Sequence, residues 1–244
     1  GSFVKEVNDQ FKTQVNAKYA FYRTHYVNND DKLIEVDNLY KQREVYVSTA
    51  NMYTIFPFWD VSMSYDFQWN EMKADMYGFV FPTRFTNLLS IATALRLGKV
   101  KLQGSGLATF VNDRVKEGPA PKARQILTPA VFLSYKPFDK HDFSLRAFYK
   151  KTFRMPTFND LYYADMGNSK LDPEYVTQYN LGTVYQKQWG NKLFRHFKIQ
   201  ADGYYNYVKD KIIAYPKGQQ FRWTMLNLGK VKIRGVDIST ETMI

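Results

Sequence analysis

The sequence predicts an all-β fold, an antiparallel up-and-down meander of about ten long strands, with no stretch that reads as a helix. Three observations carry this. Apolar and polar residues alternate at period two through most of the chain, the mark of strands with two unlike faces. Connections are alternately short and long, as in a meander whose odd turns gather at one rim and even turns at the other. Aromatic residues reach 17%, with 19 Tyr and 19 Phe in 244 residues, while the mean hydropathy is negative. Soluble cores draw burial mainly from Leu, Ile and Val, so this pairing suits strands whose faces meet different solvents.

The first strand starts at Phe11, where Val15, Ala17, Tyr19 and Phe21 alternate with Lys12, Gln14, Asn16 and Lys18. A polar connection, 28–37, leads to a second strand over about 40–54. Phe56-Pro57-Phe58-Trp59-Asp60 then makes a tight aromatic turn. The third strand alternates most clearly, with Val61, Met63, Tyr65, Phe67 and Trp69 on one face and Ser62, Ser64, Asp66, Gln68 and Asn70 on the other. A loop over 71–83 contains Tyr77 and Phe79. The fourth strand, 84–97, turns through Gly98-Lys99 into the fifth, 100–111, where Gly104 and Gly106 predict a bend or bulge.

A basic Gly/Pro loop, 112–124, precedes the sixth strand (125–135). Pro137-Phe138-Asp139-Lys140 turns into the seventh (142–153), and the eighth runs over 176–188. After a turn near Trp189-Gly190-Asn191 the ninth covers 196–207. A loop is expected over 209–222 and the tenth strand over 223–239. The estimated lengths meet or exceed the roughly 9–11 residues that cross a bilayer at a tilt. Short turns at one rim and long loops at the other is the pattern of an outer-membrane barrel, whose long loops lie outside the cell.

Between the seventh and eighth strands lies the most informative stretch. A connection of roughly twenty residues is functional or disordered as a rule, and this one is too aromatic for disorder. Pro156 and Pro173 cannot sit inside a central ladder, and Gly167-Asn168 is a turn signal between them.

The totals set further bounds. Cys is absent, which removes disulfides and thiol chemistry. The net charge of +11 permits anionic partners. No run of about 18 apolar residues encodes a transmembrane helix, which says nothing against transmembrane strands. Gly1-Ser2 reads as a vector-derived scar, so the natural start is expected elsewhere. No phosphate-binding Gly-rich loop, nucleophile elbow or close His pair supports catalysis. The expectation is that the chain is not an enzyme and holds neither a metal nor a cofactor.

The order Phe153-Arg154-Met155-Pro156-Thr157-Phe158-Asn159-Asp160-Leu161-Tyr162-Tyr163, Gly167-Asn168, Leu171-Asp172-Pro173-Glu174 and Tyr179-Asn180-Leu181-Gly182 resembles the signature of TonB-dependent outer-membrane receptors. Leu127-Thr128-Pro129-Ala130 upstream fits as well. So do the stretches Asp202-Gly203-Tyr204-Tyr205-Asn206-Tyr207 and Asn227-Leu228-Gly229-Lys230-Val231 downstream. The specific match covers roughly the second half; the first half matches in pattern only.

The resemblance implies that residues 1–244 are part of a 22-stranded transmembrane barrel, with the plug, TonB-box and terminal strands lying outside this sequence. It implies the outer membrane of a Gram-negative bacterium and contact with its lipid. It also implies a plug and TonB as partners in the full-length protein, and energised uptake of a ferric chelate (siderophore) or a corrinoid such as cobalamin. Such a piece is expected to have open strand edges and to be able to pair through them.

The outer phase, Val61 to Trp69, is then expected to meet lipid, and Ser62, Asp66 and Gln68 the lumen. The inner phase is expected to hold Lys12, Lys18, Arg96, Arg146, Lys150, Lys198 and Lys232, as a bias toward anions, as partners for plug carboxylates, or as a plain solvated face. Ligand contacts are expected from long-loop residues with flat or charged side chains: Tyr77, Phe79, Arg154, Tyr162, Tyr163 and Trp223. For Tyr162 and Tyr163 an interfacial girdle is an equal alternative, and Arg154 with Asp160 or Glu174 is equally a loop brace. No His lies between Pro156 and Pro173, which disfavours haem. His141 and His196 fall at short turns, and His25 is a minor candidate for ligand contact.

Two other classes fit parts of the chain. A soluble basic β-domain that binds nucleic acid by aromatic stacking fits the charge, but the cations do not form a stripe and the aromatics lie on the opposite face, so no nucleic-acid partner is expected. A passive porin-type channel fits the strands but not the two-box loop.

Overall fold

The computed structural model describes residues 1–28, 36–118, 120–163, 166–188, 195–217 and 222–243. Eleven strands form one sheet in strict sequence order, each antiparallel to the next. They are β1 (Ser2–Glu6), β2 (Phe11–Asn28), β3 (Val36–Phe56), β4 (Trp59–Ala74), β5 (Thr83–Leu97), β6 (Val100–Arg114), β7 (Arg124–Tyr135), β8 (Asp142–Arg154), β9 (Glu174–Gln188), β10 (His196–Lys217) and β11 (Arg222–Met243). The sheet is not closed; β1 and β11 are its edges. One short helix, α1 (Phe158–Tyr162), interrupts the β8–β9 connection.

Register turns the alternation into two faces. One row of partners reads Tyr46, Gln68 and Thr86 across β3 to β5, and the neighbouring row reads Val47, Phe67 and Asn87. The face carrying Tyr46 and Gln68 also carries α1 and is called the inner face here. It is laced with polar contacts: Asn16 Nδ2 donates to Ser48 Oγ at 3.0 Å, and Thr54 Oγ1 to Asp60 Oδ1 at 2.8 Å. The outer face presents Val15, Tyr19, Met63, Tyr65, Ile91, Leu127, Leu181, Val236 and Ile238, all exposed. The only clusters of fully buried apolar side chains among the described residues lie at the long-loop end, around α1.

Several expectations needed revision. β1 precedes the expected first strand, paired to β2 from Ser2↔Asn16 to Glu6↔Lys12; five residues, all exposed, give too short a pattern to read. The aromatic turn tightens to Pro57-Phe58 alone. At Gly104 and Gly106 the β5–β6 register is unbroken, so there is no bulge; the irregularity falls instead at Thr54/Phe56.

The loop expected over 209–222 is largely strand. β10 continues through Lys217 and pairs with β11 back to Arg222, so this connection is four residues, 218–221, which lie outside the described ones. Lys209-Asp210-Lys211 reads as a loop, but only Asp210 leaves extended geometry, with φ 56°. The turn near Trp189 and most of the loop over 28–37 also lie outside the described residues. Finally, Lys232 points outward: it shares the phase of Val236, opposite to Gly235, over which the Tyr204 ring lies.

Candidate functional site

The 155–173 connection does not stand away from the sheet. It folds back across the inner face, and most of its motif residues have a mechanical task. Thr157 caps α1: its Oγ1 accepts from Asp160 N at 3.1 Å, and Asp160 Oδ2 accepts from Thr157 N at 2.9 Å. This reciprocal box satisfies two amides that the helix start would leave open. Arg154 Nη1 donates to the same Asp160 oxygen at 2.9 Å, while its Nε lies 3.9 Å from Glu174 Oε2. Glu174 Oε2 in turn accepts from Ile212 N at 3.0 Å. The two boxes of the motif are therefore bridged by one arginine.

The descending half is pinned to β10 and β11. Asn168 N donates to Asp160 O, its Nδ2 to Met225 O, both at 2.9 Å. Asp172 N donates to Asn227 Oδ1 at 2.9 Å, and Asn227 Nδ2 returns bonds to Asp172 O and Asp210 O at 3.0 and 2.7 Å. Gly167 passes so close to α1 that a Cβ there would lie 2.7 Å from Leu161 O. Leu161 and Leu171 pack with Ile212, and Pro156 and Pro173 are fully buried. Asn159 is exposed beside these anchors, and Phe153 pairs with Tyr175 one step before the β8–β9 ladder ends at Arg154 and Glu174.

The anchor that the sequence did not reveal is Arg84 on β5. Its Nε and Nη2 hold both Asp113 carboxylate oxygens at 2.6 and 2.7 Å, and Nη1 donates to Pro156 O at 2.6 Å. Its guanidinium also lies 5.2 Å over the Phe158 ring. The pair is buried, with side chains 10% and 4% exposed. A recess of about 350 Å³ remains beneath α1, lined by Glu44, Asn70, Arg84, Thr86, Thr109 and Phe158 among others.

The sequence-named contact residues separate into two groups. Phe79 is 2% exposed and packs with Tyr40, Met72 and Phe158, so its ring offers a ligand no surface. Tyr162 is largely buried and its hydroxyl has no partner among the described residues; burial first, then the Asp113 charge, push its pKa up to about 12. Arg154 is the brace described above. Tyr163, by contrast, stacks on Tyr40 at 4.9 Å and meets Tyr26 edge-on at 5.7 Å, an aromatic ledge on the inner face. Burial, then its Tyr40 and Tyr26 neighbours, raise its pKa. Tyr77 is fully exposed at the tip of the β4–β5 loop, and Trp223 is half exposed on the face of β11 that carries Met225.

Of the inner cations, Lys12, Lys18, Arg96 and Arg146 are already paired within the wall, with Glu6, Glu44, Asp60 and Asp202. His25 contacts Asp37 across the β2–β3 hairpin.

Residues 3–242 match the family model for the TonB dependent receptor-like β-barrel. The chain belongs to that family. Members are outer-membrane receptors and transporters rather than enzymes. Over 87 residues this receptor barrel is 34% identical to the vitamin B12 transporter BtuB of Vibrio vulnificus, a match covering 35% of this chain and 13% of that protein.

Among solved structures, the FrpB iron transporter of Neisseria meningitidis superposes with TM-score 0.73 at 14% identity, over 100% of this chain and 40% of that one. The copper transporter OprC gives 0.77 at 16% identity, over 98% and 42%. The ferric-catecholate import receptor Fiu of E. coli K12 gives 0.65 at 11%, over 100% and 44%. These structural likenesses carry the fold alone. The chain spans about two fifths of the length of these solved receptors.

Proposed function

We propose that this chain is the barrel section of an outer-membrane transporter of a Gram-negative bacterium, which takes up a scarce ligand, a ferric chelate or a corrinoid, with energy supplied through TonB. The observation that supports it most is the braced 155–173 connection. A loop held by Arg84, Arg154, Asn168 and Asn227 keeps a fixed aromatic ledge, Tyr163 on Tyr40 and Tyr26, facing inward at the long-loop end. Rigid aromatic surface suits the flat, partly apolar faces of siderophores and corrins. In this reading Tyr77, Tyr163 and Trp223 touch ligand, while Arg154, Tyr162 and Phe79 hold them in place.

The outer face, apolar and exposed from Val15 to Ile238, meets lipid. The plug fills the inner side, and Lys101, Lys150 and Lys198, inward cations with no ion pair among the described residues, are placed to meet it. Taken alone, the 244-residue chain self-associates through the β1 and β11 edges. The test is equilibrium binding of cyanocobalamin and of a ferric siderophore panel to the full-length protein in detergent. Tyr163→Ala and Tyr77→Ala lower affinity at least tenfold for one of these ligands and leave the fold intact. Unchanged affinity in both variants removes the ledge from the ligand site.

A further inference from the structure

We propose that the outer face of β8–β11 is a specific binding site for a phosphorylated lipid, with an acyl chain in an apolar furrow and the phosphate on a cluster of cations above it. The proposal rests on the membrane placement of the barrel and not on which ligand it imports.

The furrow comes from side-chain size along one row of the sheet. Leu133, Ala147, Leu181, Gly203 and Val236 are successive cross-strand partners on β7 to β11. Large and small residues alternate, so Ala147 and Gly203 leave a depression between ridges. It forms an open cavity of about 820 Å³ that these residues line together with Val131, Tyr149, Tyr179, Tyr205 and Arg234. Leu181 and Val236 at its ridges are 66% and 71% exposed. It opens on the face where an apolar occupant is expected.

The next row toward the long-loop end is Tyr149, Tyr179, Tyr205 and Arg234. Its three rings touch in sequence, at centroid distances of 5.2 and 6.3 Å. Beyond it the cations gather. Lys151 and Lys232 stand in one row and Lys209 and Lys230, directly paired, in the next, followed by Lys211. Successive outward rows are about 7 Å apart, so the cluster reaches upward from the rim of the furrow.

Of these six cations, Lys209 alone has an ion pair among the described residues, a 3.6 Å contact with Asp210. No Asp or Glu occupies an outward register position of β8 to β11 among the described residues. An aromatic belt facing the membrane interface explains the tyrosines, but it explains neither the furrow nor six like charges left side by side. Repulsion between adjacent lysines is costly unless an anion sits among them. Elsewhere on the outer face Arg23, Lys41 and Lys73 also share a row, but there Glu71 lies 3.4 Å from Lys73. On β8–β11 the unpaired cations stand directly beside the furrow.

The test uses the full-length protein in a nonionic detergent and native mass spectrometry. The probe is bisphosphorylated, hexa-acylated lipid A, compared with phosphatidylcholine, inorganic phosphate and a single-stranded oligonucleotide. Lipid A is retained at least tenfold more tightly than phosphatidylcholine. The Lys209→Gln/Lys230→Gln/Lys232→Gln variant weakens it by about a hundredfold. Gly203→Leu, which fills the furrow, weakens it at least fivefold; a Cβ at Gly203 meets only Leu181 O, at 3.9 Å, so this variant folds.

Equal retention of the two lipids overturns the proposal, as does retention in the triple variant equal to the original. So does displacement by the oligonucleotide or by phosphate at the lipid's own concentration. Membrane fractionation separates the two levels. Absence from the outer membrane refutes the membrane placement, whereas presence there without lipid preference refutes only this site.

Discussion

The guanidinium of Arg84 grips both carboxylate oxygens of Asp113 and, with its remaining terminal nitrogen, the carbonyl of Pro156, 72 residues further along the chain. This relationship ties the wall of the barrel, β5 and β6, to the start of the connection that carries the family motif. Removing one partner leaves the other charged and buried. Arg84→Ala therefore destabilises the docked connection by about 3–5 kcal/mol. Limited proteolysis of the full-length protein in detergent reads this as new cleavage within 155–173. A paired Arg84→Met/Asp113→Leu replacement, which leaves no orphan charge, costs much less.

Gly167 is required by proximity rather than by backbone angle. Its absent Cβ would fall 2.7 Å from Leu161 O and 2.8 Å from Tyr162 N, neither of which is a flexible side chain. Gly167→Ala therefore costs about 1–3 kcal/mol through overpacking. It releases the connection in the same proteolysis assay without altering the cross-strand register elsewhere.

The Tyr162 hydroxyl is buried with no partner among the described residues. Deleting it removes an unsatisfied group and no bond, so Tyr162→Phe is neutral or stabilising by up to about 1 kcal/mol. Loss of proteolytic protection in this variant would reveal a bond that the geometry does not contain.

Alkaline pH acts on the same residue. Burial raises the pKa of Tyr162 to about 12 when docked, against about 10 when solvated. The docked state favours the neutral phenol. Protection is thus constant below pH 10 and falls as pH rises from 10 through 12. In Tyr162→Phe this part of the fall disappears, which separates it from general alkaline unfolding.

Much of this fold was legible because period-two alternation assigns faces directly: Val61 to Trp69 against Ser62 to Asn70 needed no tertiary information. The Gly98-Lys99 turn was equally plain. What was missed depended on contacts between distant residues or on patterns too short to show a period. Arg84 is an unremarkable strand cation until Asp113 and Pro156 are placed beside it. The five residues of α1 are too few for a helical period, although the Thr157 and Asp160 spacing that caps it is visible. Lys232 reads as inward from the sequence because Gly229 and Gly235 give β11 no clear phase, whereas the register turns it outward. Within the candidate site, the aromatic content of the motif connection was apparent from the residues. That Phe79 and Tyr162 are interior while Tyr163 presents a ledge follows only from the fold-back onto β3, β4 and β5.

Transport in living cells is the sharpest test of energised uptake. A strain carrying the full-length gene, and a strain deleted for it, are given radiolabelled cyanocobalamin and iron-55-labelled siderophores at nanomolar concentration, with and without a protonophore. The expected result is saturable, gene-dependent accumulation of one of these ligands that the protonophore abolishes. Gene-dependent entry that rises linearly with concentration and ignores the protonophore would contradict it, and would make this barrel a passive channel.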